Sequence, residues 1–548
     1  MTALLTDNLP LLAGAPNGIK KLRELILELA VRGKLVPQDS SDEPASELLK
    51  RIAKEKMQLE VVGQIRKQKP LPQITEDELP FELPVGWAWA RLADIAFSQA
   101  GFAFKSNGFN QAGLGLPLIR IRDVGQAFSG TYYEGDYRPE FLVQRGDYLI
   151  SMDGEFRVAA WEGEASLLNQ RVSRLIFFGE EIARRFIADS LQARLLELQG
   201  VKAYTTVDHL SGGQISESII ALPPRAEQHR IVAKVDELMA LCDRLEAQQA
   251  DAESAHARLV QALLDSLTQA TDADDFAASW RRLSEHFHTL FTTESSIDAL
   301  KQALLQLAVM GKLVPQDPND EPASELLKRI AEEKAQLAGR KKNLTPISEV
   351  ERPFNLPPGW KWARLGELGL TATGKTPSTG NPEFFGGEIP FVGPGQISVE
   401  GVISDPEKWL TQSGLKNSSL AEPKDILMVC IGGSIGKAAV ADRVMAFNQQ
   451  INSIRVLLAE HQYVYAALSE PRFQRSILNA SSGSATPIIN RSKWEGLLVS
   501  VPPLAEQNRI VTKAFQLFGL CDQLKARLTQ ARQLNEQLAS VLVEQAVA

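Results

Sequence analysis

Gly369-Leu-Thr-Ala-Thr-Gly374-Lys375-Thr376 has the GxxxxGK[ST] spacing of a loop that cradles phosphates. Such a loop needs a buried strand before it and a helix starting at the lysine, so that backbone N–H groups face the anion. Pro377 follows at once, then Ser-Thr-Gly-Asn-Pro, a run that cannot begin that helix. The first half of the chain has no counterpart. The match therefore predicts no nucleotide site.

Other chemistry-like spacings fail in similar ways. Phe391-Val-Gly393-Pro-Gly395 imitates the S-adenosylmethionine loop of methyltransferases, and Asn381-Pro382-Glu383-Phe384 imitates their catalytic turn. The turn lacks its second proline, and the two lie too close together for the strands and helices that must separate them. Gly432-Gly433-Ser434-Ile435-Gly436-Lys437 is glycine-rich but misses the phosphate-loop spacing. His286 and His288 have no evident third ligand. Cys242, Cys430 and Cys521 show no metal-ligand spacing, and the first and last occupy matching Leu-Cys-Asp contexts expected to be helical and apolar. There is no nuclease-like carboxylate cluster, no nucleophile elbow and no paired cysteine ligand set. The residues predict a binder with no catalytic and no metal site.

The elements that carry these stretches come in two copies. Residues 19–59 and 297–337 are nearly the same, sharing Gly33-Lys-Leu-Val-Pro-Gln-Asp39 with Gly311-Lys-Leu-Val-Pro-Gln-Asp317 and Pro44-Ala-Ser-Glu-Leu-Leu-Lys-Arg-Ile-Ala53 with Pro322–Ala331. Pro223-Pro-Arg-Ala-Glu-Gln228 likewise returns as Pro502-Pro-Leu-Ala-Glu-Gln507. Apolar spacing predicts a helix over 19–32, ended by Gly33, and a second helix opening near Pro44 and running to about Val61. Lys67–Pro80 and Lys341–Pro353 read as linkers.

Between the repeated helices lie two variable blocks. The first opens at Gly86-Trp87-Ala88-Trp89-Ala90-Arg91-Leu92, and the second at Gly359-Trp360-Lys361-Trp362-Ala363-Arg364-Leu365. Strand-like runs at 118–124, 148–152 and 172–178, then at 389–392, 425–431 and 451–458, predict mixed α/β, β-rich domains. A helix is expected over 181–198. The blocks share Asp147 with Asp425 and Asn169-Gln170 with Asn448-Gln449, and differ nearly everywhere else. The predicted fold class is α+β, with two such domains joined by long antiparallel coiled-coil helices and pseudo-two-fold from the internal duplication. The expected layout is 1–82 helical repeat and linker, 83–223 first domain, 224–355 central helical region, 356–502 second domain and 503–548 closing helix.

Long helices are expected over 226–269 and 505–545. Leu238, Leu241, Leu245, Gln248, Ala252, Ala255, Leu259 and Ala262 alternate spacings of three and four, as do Leu517, Leu520, Leu524, Arg527, Ala531, Leu534, Leu538 and Val541. The natural partner for each helix is the other, with a modification partner as the alternative occupant of the same seam. Residues 271–296 form a connector with an amphipathic piece at Trp280, Leu283, Phe287 and Leu290. By the repeat, the N-terminal helix should meet the C-terminal one, mirroring the central connection. Length predicts three to four domains, and 44% apolar with 23% charged residues is ordinary for a globular protein. No stretch reads as a membrane span or secretion signal, so the expected location is the cytoplasm. The net charge of −8 means that any nucleic acid must be held by local basic clefts.

This ordered set of openings, exits and long helices, given twice, resembles the specificity subunit of type I restriction–modification enzymes. The resemblance covers essentially the whole chain. It implies a non-catalytic subunit of a type I deoxyribonuclease and adenine methyltransferase complex, whose two target-recognition domains each read one half of a split, asymmetric site in double-stranded DNA. It further implies helices that set the gap between half-sites, two docked modification subunits and two motor/nuclease subunits, with S-adenosylmethionine, ATP and Mg used in those partners and no cofactor bound here. Base and phosphate contacts need cationic and amide side chains. The candidates are Lys105, Arg120, Arg122, Arg138, Arg157 and Arg171 in the first block, and Lys375, Thr376, Lys437, Arg455, Arg491 and Lys493 in the second. Leu238, Leu241, Leu245, Leu259, Leu517, Leu520, Leu524 and Leu538 are the expected helix or partner interface. A protein–protein scaffold and a free-standing phosphate-loop or methyltransferase enzyme are the competing readings.

Overall fold

The computed structural model describes residues 12–63, 65, 71–201, 209–270, 273–338, 345–483 and 486–547. Parts of the expected linkers, connector and N-terminus fall outside the described residues. The chain divides into two compact units, Met1–Ala252 with Ala531–Ala548, and Glu253–Gln530.

In the first unit, α1 (Gly18–Val31) buries Ile19, Leu22, Leu25, Ile26 and Leu29 on one face. Gly33 ends it in the left-handed region, at φ +66°, with Lys34 N–H bonded to Leu29 O at 2.9 Å. A glycine suits that position because it carries no Cβ penalty. Helix α2 (Ala45–Val61) follows. The variable block then opens on β1 (Ala88–Arg91) and closes on β8 (Ile219–Leu222), and these two strands pair antiparallel from Ala88↔Leu222 to Arg91↔Ile219. Between them lie β2 (Ala96–Ala100), β3 (Leu116–Ile119), β4 (Tyr148–Ser151), β5 (Val158–Ala160), β6 (Ser166–Leu168), β7 (Val172–Phe177), then α3 (Arg184–Val201) and α4 (Gly212–Glu217). The main sheet has the order β2-β7-β4-β5, all antiparallel, while β3 and β6 run parallel in a second sheet. Helix α5 (Arg225–Gln269) leaves directly after the block.

The second unit repeats the plan. After α6 (Ala273–Glu285) come α7 (Glu294–Val309) and α8 (Ala323–Ala338). The second block has β9 (Lys361–Arg364), β10 (Gly369–Thr373), β11 (Phe385–Val392), β12 (Ile426–Val429), β13 (Ala438–Val440), β14 (Met445–Phe447), β15 (Ile451–Val456), α9 (His461–Ser469), α10 (Pro471–Ala480), α11 (Arg491–Glu495) and β16 (Leu498–Val501). Here β9 pairs β16, the main sheet is β10-β15-β12-β13, and β11 runs parallel to β14. Two helices, α9 and α10, stand where the first block has α3 alone. Helix α12 (Leu504–Val547) closes the chain.

The repeated motifs meet at one joint in each unit. In the first, Glu227 is 1% exposed and its carboxylate accepts from Trp87 Nε1 at 3.0 Å and Gln38 Nε2 at 3.3 Å. Gln228 accepts from Ala183 N and donates to Pro223 O, and Arg230 pairs with Asp42 at 2.6 Å. In the second, Glu506 accepts from Trp360 and Gln316, Gln507 from Glu460 N, and Arg509 pairs with Asp320. A buried carboxylate is costly unless such donors meet it. The Glu-Gln of the exit, the Trp of the opening and the Gln of the repeat are therefore one hydrogen-bonded unit. The shared Arg91 and Arg364 also have structural partners, Glu78 and Glu351 together with backbone carbonyls.

The expected helical seam needs correction. In the first unit the buried face of α5 carries Ile231, Val235 and Cys242, in one apolar cluster with Leu22 and Ile26 of α1 and Ala539 of α12. In the second, Cys521 of α12 clusters with Ile297, Leu300 and Leu304 of α7 and with Val260, Leu264 and Leu267 of α5. Leu238 and Leu245, and Leu517 and Leu524, pack at the edges of these clusters, and Leu241 is half-buried. Leu259, Leu520 and Leu538 are exposed, at 53%, 60% and 45%. A two-helix seam read from spacing cannot register a third helix, and α1 and α7 are that third helix. The expected meeting of the N-terminal and C-terminal helices holds. Lys21 of α1 donates to Ser540 Oγ of α12 at 2.9 Å and pairs with Glu536.

Candidate nucleic-acid interface

Strand direction gathers the loops of each block at one rim. In the first block, Gly101 N–H bonds Val172 O and Met152 N–H bonds Arg171 O, which joins the end of β2, the end of β4 and the start of β7. Asn169 N–H bonds Ile119 O, bringing Arg120 beside the Asn169-Gln170 turn, and Leu210 N–H bonds Met152 O. In the second block, Gly374 N–H bonds Ile451 O, Cys430 N–H bonds Gln450 O, Asn448 N–H bonds Val392 O and Ile489 N–H bonds Cys430 O. The five segments of one rim thus match the five of the other, joined by the same four bonds.

Most candidates lie on these rims. Lys105 and Arg122 are exposed and Arg120 is half-buried. Arg138 stacks over Phe102, 5.7 Å from its centroid, and lies 3.7 Å from Glu140. Arg157 pairs with Glu155, and Arg171 with Asp153 at 3.3 Å, while also meeting His209 Nδ1 at 3.2 Å. Lys375 is exposed, Thr376 donates to Gln449 Oε1, and Lys437 is half-buried beside β12. Arg491 pairs with Glu495 at 3.4 Å, and Lys493 donates to Ala480 O and Ser482 Oγ, both at 3.1 Å. Among the described residues, Lys105, Arg122, Lys375 and Lys437 make no ion pair.

Arg455 is the exception. It sits at the far end of β15, held by Asp425 at 3.1 Å and by Glu422, with Asp425 also accepting from Glu422 N. The first block has a matching arrangement, in which Asp147 accepts from Gln144 N and pairs with Arg174 at 3.2 Å. The shared aspartate thus serves a structural ion pair, which removes Arg455 from the rim. His209 and Asp153 were missed by the sequence reading, because their bridge spans 56 positions and no local spacing reports it.

The phosphate-loop imitation is a strand. Gly369–Thr373 is β10, Gly374 lies against Asn448 O, and no helix starts at Lys375. The methyltransferase-like runs are the end of β11 with a 3₁₀ turn, and another 3₁₀ turn at Pro382–Phe384. All three cysteines are buried, and burial pushes the Cys430 thiol up to about 12. Among the described residues there is no cluster of His, Cys, Asp and Glu fit for a metal, and no helix long and apolar enough to cross a membrane.

The sequence profile of the type I restriction modification DNA specificity domain matches residues 84–253 and 357–531, one copy per unit. The chain belongs to the type I restriction–modification specificity family. It is 38% identical to the EcoAI specificity subunit of Escherichia coli, over 97% of this chain and 94% of that one. Identity to the EcoEI specificity subunit of the same species is 37%, with the same coverage. A solved structure described as the structural basis of complex assembly and conformational transition of the type I R-M system aligns at TM-score 0.49 and 18% identity, covering 85% of this chain and 99% of that one. Within this family frame the duplicated joints mount two specificity domains that share a skeleton and differ at their rims.

Proposed function

We propose that this chain is the DNA-reading subunit of a type I restriction–modification complex, with each rim facing one half of a bipartite duplex site. The observation that carries this is the pair of matched rims. Both are built from the same five segments, yet each carries its own cations, as two readers of different half-sites require. Helix α5 starts where the first domain ends and has 45 residues, about 67 Å at 1.5 Å per residue. That length exceeds the roughly 34–36 Å between half-sites one helical turn apart. In this reading α5 and α12 set the unread gap. The exposed Leu259 and Leu520 in the second unit, and Leu534 and Leu538 in the first, offer apolar surface to two modification subunits. Two motor/nuclease subunits complete the complex. S-adenosylmethionine, ATP and Mg act in the partners, in the cytoplasm, and this chain performs no catalysis.

The test is co-expression with cognate modification subunits in a host lacking adenine methylation, followed by genome-wide mapping of N6-methyladenine. The expected result is one split sequence motif. Replacing residues 92–218 with the matching block of another family member should change one half of that motif only. Random or absent methylation, or a change in both halves, would overturn the proposal.

A further inference from the structure

The two blocks share few polar residues, and the fold accounts for nearly all of them. Trp87 and Trp360 serve the joints, Arg91 and Arg364 hold a linker glutamate, and Asp147 and Asp425 hold an arginine. Asn169 and Asn448 shape the turn between the strands. The carbonyls of both accept, from Val172 N and Ile451 N, and Asn448 Oδ1 accepts from Gln450 N. The glutamine that follows differs. Gln170 and Gln449 are exposed at the crest of the turn. Thr376 donates to Gln449 Oε1, the Nε2 donors of that exposed amide have no partner among the described residues, and neither has the Gln170 side chain.

The same glycine steers both turns. Gly101 and Gly374 lie so close to Asn169 O and Asn448 O that a Cβ would collide with either carbonyl. The residue after that glycine touches the turn by a backbone bond, from Phe102 N to Leu168 O and from Lys375 N to Phe447 O. In the second block this residue is itself a cation. In the first it is Phe102, 37% exposed, with the Arg138 guanidinium stacked over its ring. Each rim therefore carries an exposed glutamine on a turn whose backbone holds a cation or the aromatic ring under one, at an equivalent place and with different residues.

We propose that these paired crests, Gln170 with Arg138 on Phe102 and Gln449 with Lys375, clamp the phosphate backbone of the duplex and fix its register against each rim. The proposal rests on the DNA-reading function above. A side chain that both domains share cannot account for the difference between what they read. What two half-sites have in common is the backbone, and contacts there position without specifying. An amide donor beside a cation suits a phosphate oxygen.

The test uses the chain assembled with its modification subunits, a duplex carrying the mapped motif and a scrambled duplex, over a salt series. Gln449→Ala should weaken binding to both duplexes by the same factor, about threefold to tenfold, with the methylated motif unchanged. Gln170→Ala should do the same, and the two effects should multiply. Lys375→Gln should lower the slope of log affinity against log salt by about 0.9. Melting temperatures should stay at the wild-type value, since these side chains are exposed. A loss confined to the specific duplex with one relaxed base position would make the glutamine a base reader and overturn the proposal, as would unchanged affinity for both. Wild-type protein that fails to prefer its motif would instead overturn the DNA-reading function itself.

Discussion

Gly311→Ala measures how tightly the joint is built. Gly311 has φ +72°, and an added Cβ would stand 2.5 Å from Pro357 Cγ and 3.0 Å from Trp360 Cζ2. Placing an L side chain in the left-handed region costs about 1–2 kcal/mol. Forcing a methyl into a packed site costs about 1–3 kcal/mol more. The sum, about 2–5 kcal/mol, corresponds to roughly 4–20 °C for a unit of this size, at about 2–4 °C per kcal/mol. Gly359→Ala is the internal control. Gly359 has φ +80°, but its nearest foreign atom is Pro503 Cγ at 3.5 Å, ordinary contact. It should therefore lose only the conformational part, about 2–8 °C. Scanning calorimetry of the full chain should show Gly311→Ala lowering the transition of the second unit well beyond Gly359→Ala, with the first unit unmoved. Gly33→Ala should mirror the effect in the first unit, where a Cβ would meet Pro84 at 2.6 Å and Trp87 at 2.8 Å. If Gly311→Ala and Gly359→Ala melted together, the argument that opening and repeat are locked by close packing would fail.

Asp425→Ala should cost about 1–3 kcal/mol by calorimetry, because it leaves Arg455 with Glu422 alone and strands the Glu422 amide. It should leave the salt dependence of DNA binding as it was, and a changed slope would put Arg455 back among the contacts. Burial pushes the carboxyls of Glu227 and Glu506 up. The folded state then holds those protons more tightly than the unfolded one, so stability falls as pH rises from the ordinary carboxylate range, about 4, through the folded values. Relative to the Glu227→Gln, Glu506→Gln double variant, the wild type should lose melting temperature over that window and run parallel above it; a gain would contradict the sign. A thiol reagent at neutral pH should leave Cys242, Cys430 and Cys521 unmodified in the folded chain and label all three in denaturant.

Repetition made the frame legible. The match of 19–59 to 297–337 foretold two copies of one plan, and Gly33 ends its helix where the sequence placed the stop, with Gly311 doing the same in the second copy. Strand-like runs at 148–152, 172–178 and 451–458 became β4, β7 and β15 within a residue or two. The lateral face of the long helices was less legible. Spacing picked leucines, but the buried stripe runs through Cys242 and Cys521, because packing follows the third helix and not the most apolar residue type. Which cations reach the rims was also hidden. Arg455 looks like Lys375 in sequence, and only the direction of its strand and a carboxylate 30 positions away separate them. The glutamine crest was visible as a shared dipeptide, but the turn that carries it is set by a glycine 68 or 74 positions before its asparagine (Gly101 to Asn169, Gly374 to Asn448).

Strands β1 and β8 lie side by side, as do β9 and β16, so each variable insert leaves the frame on the strand next to the one that admitted it. Whatever is threaded between Arg91 and Ile219 adds no net displacement to the backbone. What the frame asks of its cargo is narrow: an amide for the exit glutamine, as at Ala183 or Glu460, and an apolar helix face for α1 or α7. An insert that meets those few terms could be exchanged whole in a single recombination, with the contacts among the frame helices left as they were.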